Sequence, residues 1–449
     1  MAETTTSTAS GPKDVLIFVP GIGETESLKV GHVAQLVCWE LNQQAPDRAT
    51  RFAITPISVD THPVHRILRT DRDGTVTGVL DIYGYDSVAE LDNSTSTRNP
   101  LLRALSLGLV AITGALVLFR VIFSVRRRAK TRPQLLQAFI LLLITAFIFV
   151  YFGIAVFALI EAILTIAQGS SDGPVLRWPQ WVVLIGAVVG GLVPSFRERI
   201  TWLGERAVQM ARFTLTGGSR NRLSGGIQTL VDTIAHRSEV DSVHLVGYSF
   251  GALVAMEAVY PQGGSPAPTL SLVKTLVTIG SPFDLVRMVR PSYSEGRTFT
   301  EGVDPKWVNI YQPIDVLGSN FRDDTESAAA TTGLESPAPE QTPTTPSIVP
   351  EGFTLPRGYT LPKAYVAPAL AGPATATRTP TCNLAWNPDL RLNAANFLIL
   401  RSLSVHAQYW DDSTTARSAI GLVVSEVTTS RRILGTAPSM TAATELPPV

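Results

Sequence analysis

The sequence has little charge and few cysteines, and each shortage excludes a class of protein. Charged residues make up 16% of the 449 residues, and 37 basic and 37 acidic side chains leave no formal net charge. A chain without a basic surplus is not expected to bind nucleic acid. The two cysteines, Cys38 and Cys382, are far apart and match no metal-binding spacing, so we expect reduced thiols and no metal. No motif indicates a cofactor.

The first residues also lack the features of a secretory signal. The stretch "MAETTTSTASGPKD" has neither a basic region nor the apolar run that follows it in signal peptides. We therefore expect residues 1–13 to be disordered and the segment after them to remain in the cytoplasm.

The low charge is concentrated in residues 101–194, which hold almost all of the long apolar runs. Because a bilayer core needs roughly 20 apolar helical residues, this block predicts a membrane-embedded helical insertion. Arg103 and Arg120 interrupt the first candidate segment, whereas the second is uncharged until Glu161. The three candidate segments are 101–125, 134–164 and 178–194.

Charge in the connecting loops predicts the orientation of this insertion. Arginines and a lysine crowd residues 126–132, and arginine is frequent after residue 195, whereas 167–177 is nearly neutral. The positive-inside rule places both basic loops in the cytoplasm. We favour 134–164 and 178–194 as a spanning hairpin, with the first segment re-entrant or interfacial. There are two alternatives. Either the first two segments span the bilayer, or the chain crosses it four times.

The flanks of the block alternate between strand and helix patterns, which favours an α/β domain with a parallel sheet. The expected strands are 15–19, 51–60, 242–249, 272–282 and 306–313, and the expected helices are 30–44, 224–239, 251–260, 389–404 and one within 413–434. We expect a turn at 71–74 within a mixed, polar region. Residues 323–381 are rich in Pro, Thr, Ala and Ser, and we expect a flexible insertion without a packed core.

One motif carries a chemical signal, the G-x-S-x-G of residues 247–251. It follows an apolar strand pattern and opens a helix pattern, which is the setting of a nucleophile elbow. Such a turn forces strained torsions on the serine and brings the helix close to the strand. The small residues needed on either side are Gly247 and Gly251, so Ser249 is the candidate nucleophile.

A serine hydroxyl needs a base, and the base needs an acid that orients it. His406 is the only histidine downstream of Ser249, where hydrolases of this kind carry their base. Asp315 follows the last strong strand pattern and is the favoured acid, with Asp284 as the alternative. The remaining histidines all precede the motif: His32, His62, His65, His236 and His244.

The oxyanion formed during acyl transfer needs backbone N–H donors in place beforehand. Phe250, directly after the nucleophile, predicts one donor. The turn "FVPGIGE" after the first strand predicts the second, at Ile22 or Gly23.

Five stretches, in this order, resemble the lipase/esterase branch of the α/β-hydrolase superfamily: "LIFVPGIGE", "VHLVGYSFGA", "TIGSPFD", "VNIYQPIDVLG" and "VHAQYW". The resemblance covers residues 14–60 and 224–412. It implies a mostly parallel sheet with helices on both faces and a serine esterase activity. The sequence departs from the family pattern at Pro20, where histidine is common, at Val316, where proline is common, and in the membrane insertion.

By position, the resemblance implies Ser249 as nucleophile, Asp315 as acid and His406 as base, with amides near Ile22 and Phe250 as the oxyanion hole. The first strand and the nucleophile strand must share one sheet, so the chain must cross the membrane an even number of times. The expected segments are a disordered terminus (1–13), three parts of the hydrolase domain (14–100, 195–322 and 382–435), the membrane insertion (101–194), the flexible insertion (323–381) and a disordered tail (436–449).

These features predict an integral membrane serine hydrolase with a cytoplasmic catalytic domain, the lipid bilayer as partner and a lipid or other apolar ester as substrate. An acyltransferase with the same triad, or an inactive hydrolase fold serving as a membrane scaffold or sensor, are the alternatives. The acyl chain, head group and oligomeric state stay open.

Overall fold

The computed structural model describes the parts of the chain on either side of the long apolar block. The described residues are 13–21, 30–45, 47, 49–60, 62–86, 213–214, 217–237, 240–312, 315, 317–322, 330–336, 376–385, 405–410, 419–428 and 433. Within these ranges, none of the helices combines the length and the apolar character needed to cross a bilayer. Several predicted segments lie outside the described residues. They are the three membrane segments, the helix 389–404 and both disordered termini apart from Lys13.

The described chain forms a mixed α/β structure around one mostly parallel sheet. The strands are β1 (Asp14–Val19), β2 (Arg51–Val59), β3 (His62–Thr70), β4 (Val76–Gly84), β5 (Ser242–Tyr248), β6 (Val273–Ile279), β7 (Lys306–Tyr311), β8 (Leu334–Ser336), β9 (Ala376–Arg378) and β10 (Cys382–Ala385). Eight of them form the central sheet in the order β10-β7-β6-β5-β1-β4-β3-β2, and β8 pairs with β9 separately. Only β3 runs against the other strands of the large sheet.

Helices cover both faces of this sheet. They are α1 (Val30–Gln44), α2 (Gly217–Ala235), α3 (Phe250–Val259), α4 (Phe283–Val289) and α5 (Ala419–Thr428), with 3-10 turns at Pro268–Leu272, Pro291–Tyr293 and Val405–Trp410. Residues of α2, α3 and α4 pack with alternate side chains of β1 on one face, and residues of α1 and α5 pack with the others on the opposite face. Burial on both faces explains why β1 and β5 read as continuous apolar runs.

The centre of the sheet joins the two flanks of the apolar block. β1 lies between β4 and β5 and pairs in parallel with both, with Val15 opposite Asp81 on one side and Val243 on the other. All six residues of β1 are buried. Both flanks are therefore parts of one folded unit.

Several elements differ from the sequence expectation. Residues 62–70 and 76–84, read as a mixed polar region, are β3 and β4, joined by the expected turn at 71–74. In β3 only Val64 and Ile67 are buried. Because these two residues are three positions apart, the sequence lacks the alternation of apolar and polar residues that indicates a half-exposed strand. The helix expected at 224–239 begins earlier, at Gly217, and ends at Ala235.

The expectation that 323–381 has no packed core is corrected near its ends. There β8 and β9 form an antiparallel pair, and the Leu334 side chain is fully buried in the core that contains α2 and α3. Strand pairing needs few apolar residues when a single buried side chain anchors it, so composition alone did not reveal it.

Two neighbouring glycines of α2 give a matched stability test. A Cβ at Gly225 would contact nothing within 4 Å, whereas a Cβ at Gly226 would lie 2.1 Å from Tyr85 Oη. Gly225→Ala should stabilise the fold by about 0.5–1 kcal/mol because alanine favours the helix. Gly226→Ala should destabilise it by about 1–3 kcal/mol because the Tyr85 ring must move. Chemical denaturation of both variants checks this, and equal shifts would contradict the described packing of Tyr85.

Candidate active site

Three polar side chains meet beyond the carboxyl ends of the parallel strands. Ser249 follows β5, Asp315 lies just beyond β7, and His406 lies in the 3-10 turn Val405–Trp410. His406 Nε2 is 2.7 Å from Ser249 Oγ, and His406 Nδ1 is 2.8 Å from Asp315 Oδ2. Residues separated by up to 157 positions in the chain thus form one continuous hydrogen-bonded relay.

The backbone at Ser249 is held in a conformation that side chains rarely adopt. Its φ is 52° and its ψ is −122°, and it stands directly before the first residue of α3. Residues with such torsions concentrate at functional sites because the surrounding structure must enforce them. Here the Ser249 N–H donates to the carbonyl of Ile279 in the adjacent strand, at 2.8 Å. The strained turn lifts the hydroxyl out of the sheet toward His406.

Two glycines make this turn possible. A Cβ at Gly247 would lie 2.5 Å from the Ala252 Cα, and a Cβ at Gly251 would lie 2.1 Å from the Val19 carbonyl oxygen. Both contacts are with backbone, which cannot rotate away. Gly247 and Gly251 therefore allow α3 to start directly against β5 and against the end of β1, as the elbow motif predicts.

The Asp315 carboxylate is completely buried and receives three hydrogen bonds. Its Oδ1 accepts the Leu317 N–H at 2.9 Å, and its Oδ2 accepts both His406 Nδ1 and the Tyr409 hydroxyl, the latter at 2.9 Å. These donors compensate a charge that would otherwise be costly to bury. The fixed carboxylate in turn holds the imidazole with Nε2 directed at Ser249.

Two tyrosines frame the imidazole. The Tyr248 ring stacks on His406 with centroids 5.6 Å apart, and its hydroxyl donates to the His406 carbonyl. The Tyr409 hydroxyl donates to Asp315 and accepts the Gln312 N–H at 2.8 Å. Burial, reinforced by the charge of Asp315, raises the pKa of both phenols far above the ordinary range. Both hydroxyls therefore remain protonated donors.

The alternative acid occupies a different place. Asp284 is buried in the first turn of α4, and its backbone N–H donates to Ser319 Oγ at 2.6 Å. The structure brings Asp315, and not Asp284, to His406.

The predicted oxyanion hole is described in part. Phe250 is the first residue of α3, so its N–H is one of those that no helical carbonyl accepts. The turn after β1 passes beside Ser249, because a Cβ at Gly21 would lie 2.8 Å from the Ser249 Cβ. The predicted second donors, Ile22 and Gly23, lie just outside the described residues.

The sequence pattern did not indicate roles for Tyr248, Tyr409 or Gly280. Tyr409 follows His406 by three residues, a spacing that places both on one side of a 3-10 turn and could have indicated the pair. Gly280 has a φ of 54°, and a Cβ there would lie 3.2 Å from His406 Cε1. Because Gly280 has no side chain, it leaves room for the imidazole of His406.

The described residues contain no group of His, Cys, Asp and Glu side chains that could hold a metal ion. Cys38 and Cys382 are both free thiols, and burial raises the pKa of Cys38.

Comparison of the chain with protein-family models, with curated proteins and with solved structures found no match.

The close approach at Gly251 gives a direct test of the elbow. Gly251→Ala would place a methyl group against the Val19 and Pro20 carbonyl oxygens, which only a shift of β1 relative to α3 could relieve. We expect a loss of about 3 kcal/mol or more in the free energy of unfolding, measured by denaturation. Gly264→Ala is the control, since a Cβ at this exposed glycine would contact nothing within 4 Å. Equal stability of the two variants would contradict the described elbow.

Proposed function

We propose that this chain is a membrane-anchored serine hydrolase of the α/β-hydrolase type that cleaves carboxylic esters, with lipid esters as its substrates. The observation that carries the proposal is the relay from Ser249 Oγ through His406 to Asp315, with distances of 2.7 and 2.8 Å. A strained serine at a strand–helix turn and a buried carboxylate behind a histidine are what nucleophilic acyl transfer requires.

The chemistry follows from these positions. His406 Nε2 takes the proton of Ser249 Oγ as the oxygen attacks the ester carbonyl, and Asp315 stabilises the imidazolium that forms. The Phe250 N–H binds the developing oxyanion. When the intermediate collapses, the carbon–oxygen ester bond breaks and His406 gives its proton to the leaving alcohol. Water, deprotonated by the same imidazole, then releases the acid from the acyl-enzyme and restores Ser249.

The arrangement of elements supports the α/β-hydrolase assignment. The nucleophile, the acid and the base follow in this chain order, each beyond the carboxyl end of the mostly parallel sheet. The position of the nucleophile between a strand and a helix, with a glycine two residues to either side, fits the same fold.

The sequence between β4 and β5 supports the membrane anchor. It contains the apolar block 101–194, and its two ends belong to one sheet because β4 and β5 both pair with β1. The chain must therefore cross a bilayer an even number of times. We propose the hairpin 134–164 and 178–194, which leaves both basic loops and the catalytic domain in the cytoplasm.

The reaction is tested with the full chain in detergent or nanodiscs, on p-nitrophenyl esters from acetate to palmitate. Ser249→Ala should lower kcat by at least about 10⁴-fold, whereas Ser265→Ala, at an exposed loop position, should not. Retention of wild-type rates by Ser249→Ala would contradict the assignment. Hydrolysis of short soluble esters alone would contradict a lipid substrate, and transfer of the acyl group to an added lipid alcohol would show an acyltransferase.

The hydroxyl of Tyr409 gives a second test, because it positions Asp315 without touching substrate. Tyr409→Phe should lower kcat by roughly 10-fold with little change in KM, since one hydrogen bond to the buried carboxylate is lost. The control is Tyr293→Phe, in which an equally buried hydroxyl makes no bond to His406 or Asp315. Steady-state kinetics separate the two, and a change confined to KM would contradict the positioning role.

A further inference from the structure

The two ends of the undescribed segment 87–212 join the domain at the edge that carries the relay. β4 runs parallel to β1 and β5, so its last residues lie at the same edge as Ser249. Beyond β4, the Tyr85 N–H donates to the Phe18 carbonyl at 2.9 Å. The chain therefore leaves the domain next to the turn that follows β1.

The returning chain is packed directly against the nucleophile elbow. The Phe213 ring is fully buried and meets the Phe250 ring edge-on, with centroids 4.8 Å apart. Phe250 is the residue after Ser249. Arg290 fixes the neighbouring backbone, because its Nη1 donates to the Thr214 carbonyl.

A further contact joins the leaving chain to the returning chain. The Tyr85 hydroxyl donates to the Leu223 carbonyl in α2 at 3.0 Å. Near its start α2 also contacts the chain just beyond the end of α3, because Arg220 Nη1 donates to Gln262 Oε1 at 2.6 Å. The exit and re-entry points are thus held beside the catalytic residues.

The segments between the domain and the apolar block are short. Residues 87–100 are 14 residues and 195–212 are 18 residues, which span at most about 50 and 65 Å fully extended. A return along the domain to the opposite edge, about 30 Å away over a nine-residue strand such as β4, would use roughly half of that length. An arrangement with the relay edge toward the block needs no such return.

The opposite edge of the sheet, at the amino ends of the parallel strands, carries charged side chains that are exposed to water. It carries the exposed ion pair between Lys13 and Asp241, with side chains 63% and 46% exposed, and the pair between Lys306 and Glu426. Lys274 is exposed at the start of β6 on the same edge. Pressing these charges against a bilayer would remove hydration that the pairs do not replace.

We propose that the carboxyl edge of the sheet, with Ser249 at its centre, faces the surface of the bilayer in which residues 101–194 are embedded, so that a lipid ester enters the site directly from the membrane. This inference rests on the membrane anchor of the proposed function.

The orientation is tested with single-cysteine variants of the full chain, in a Cys38→Ala, Cys382→Ala background and in nanodiscs of phosphatidylcholine with a headgroup nitroxide lipid. Bimane is attached at Asp86→Cys, two residues beyond the end of β4, or at Lys274→Cys, at the opposite edge. Both positions are exposed. We expect at least threefold stronger nitroxide quenching at position 86 than at position 274.

Equal quenching at the two positions, or stronger quenching at 274, would overturn the orientation. Extraction of the chain from the nanodiscs or from liposomes by alkaline carbonate would overturn both the membrane anchor and the orientation. Hydrolysis by the same variants in detergent is measured in parallel. A chain that hydrolyses esters and is retained in the bilayer, but shows the wrong quenching order, would refute the orientation while leaving the hydrolase proposal intact.

Discussion

The structure depends on the close approach of α3 to the end of β1. Gly251 lies so near the Val19 carbonyl oxygen that even a methyl group would not fit. This contact places Ser249 beside the turn at Gly21 and brings together segments that stand on opposite sides of a long apolar block. That one constraint underlies three features: the strained torsions of Ser249, the parallel pairing of β1 with β5 and the start of α3.

Around this point the side chains of Ser249, His406 and Asp315 are joined by hydrogen bonds. Asp315 is fully buried yet receives three donors, and the imidazole of His406 is held between aromatic rings while remaining only 13% exposed. A buried carboxylate of this kind is stable only when its charge is compensated. The side chains that frame the relay therefore matter both for folding and for any chemistry at Ser249.

The sequence predicted β1, β5 and β7, which are buried on both faces, because apolar residues predominate in them and recognisable turns follow them. It also indicated Ser249, Asp315 and His406, since a single downstream histidine left one choice for the base. It did not reveal β3 and β4, whose exposed faces carry polar residues, or the pair formed by β8 and β9. Tyr248 and Tyr409 escaped because their roles arise from contacts across more than 90 residues of chain.

The central claim is that Ser249 is an activated nucleophile in a preformed relay. The most direct measurement is the labelling of the full chain with a fluorophosphonate, followed by peptide mapping of the adduct by mass spectrometry. We expect one covalent phosphonyl adduct, on Ser249, which disappears when the protein is denatured beforehand and in a His406→Ala variant. Absence of an adduct on Ser249 in the native protein, or labelling that persists without His406, would contradict it.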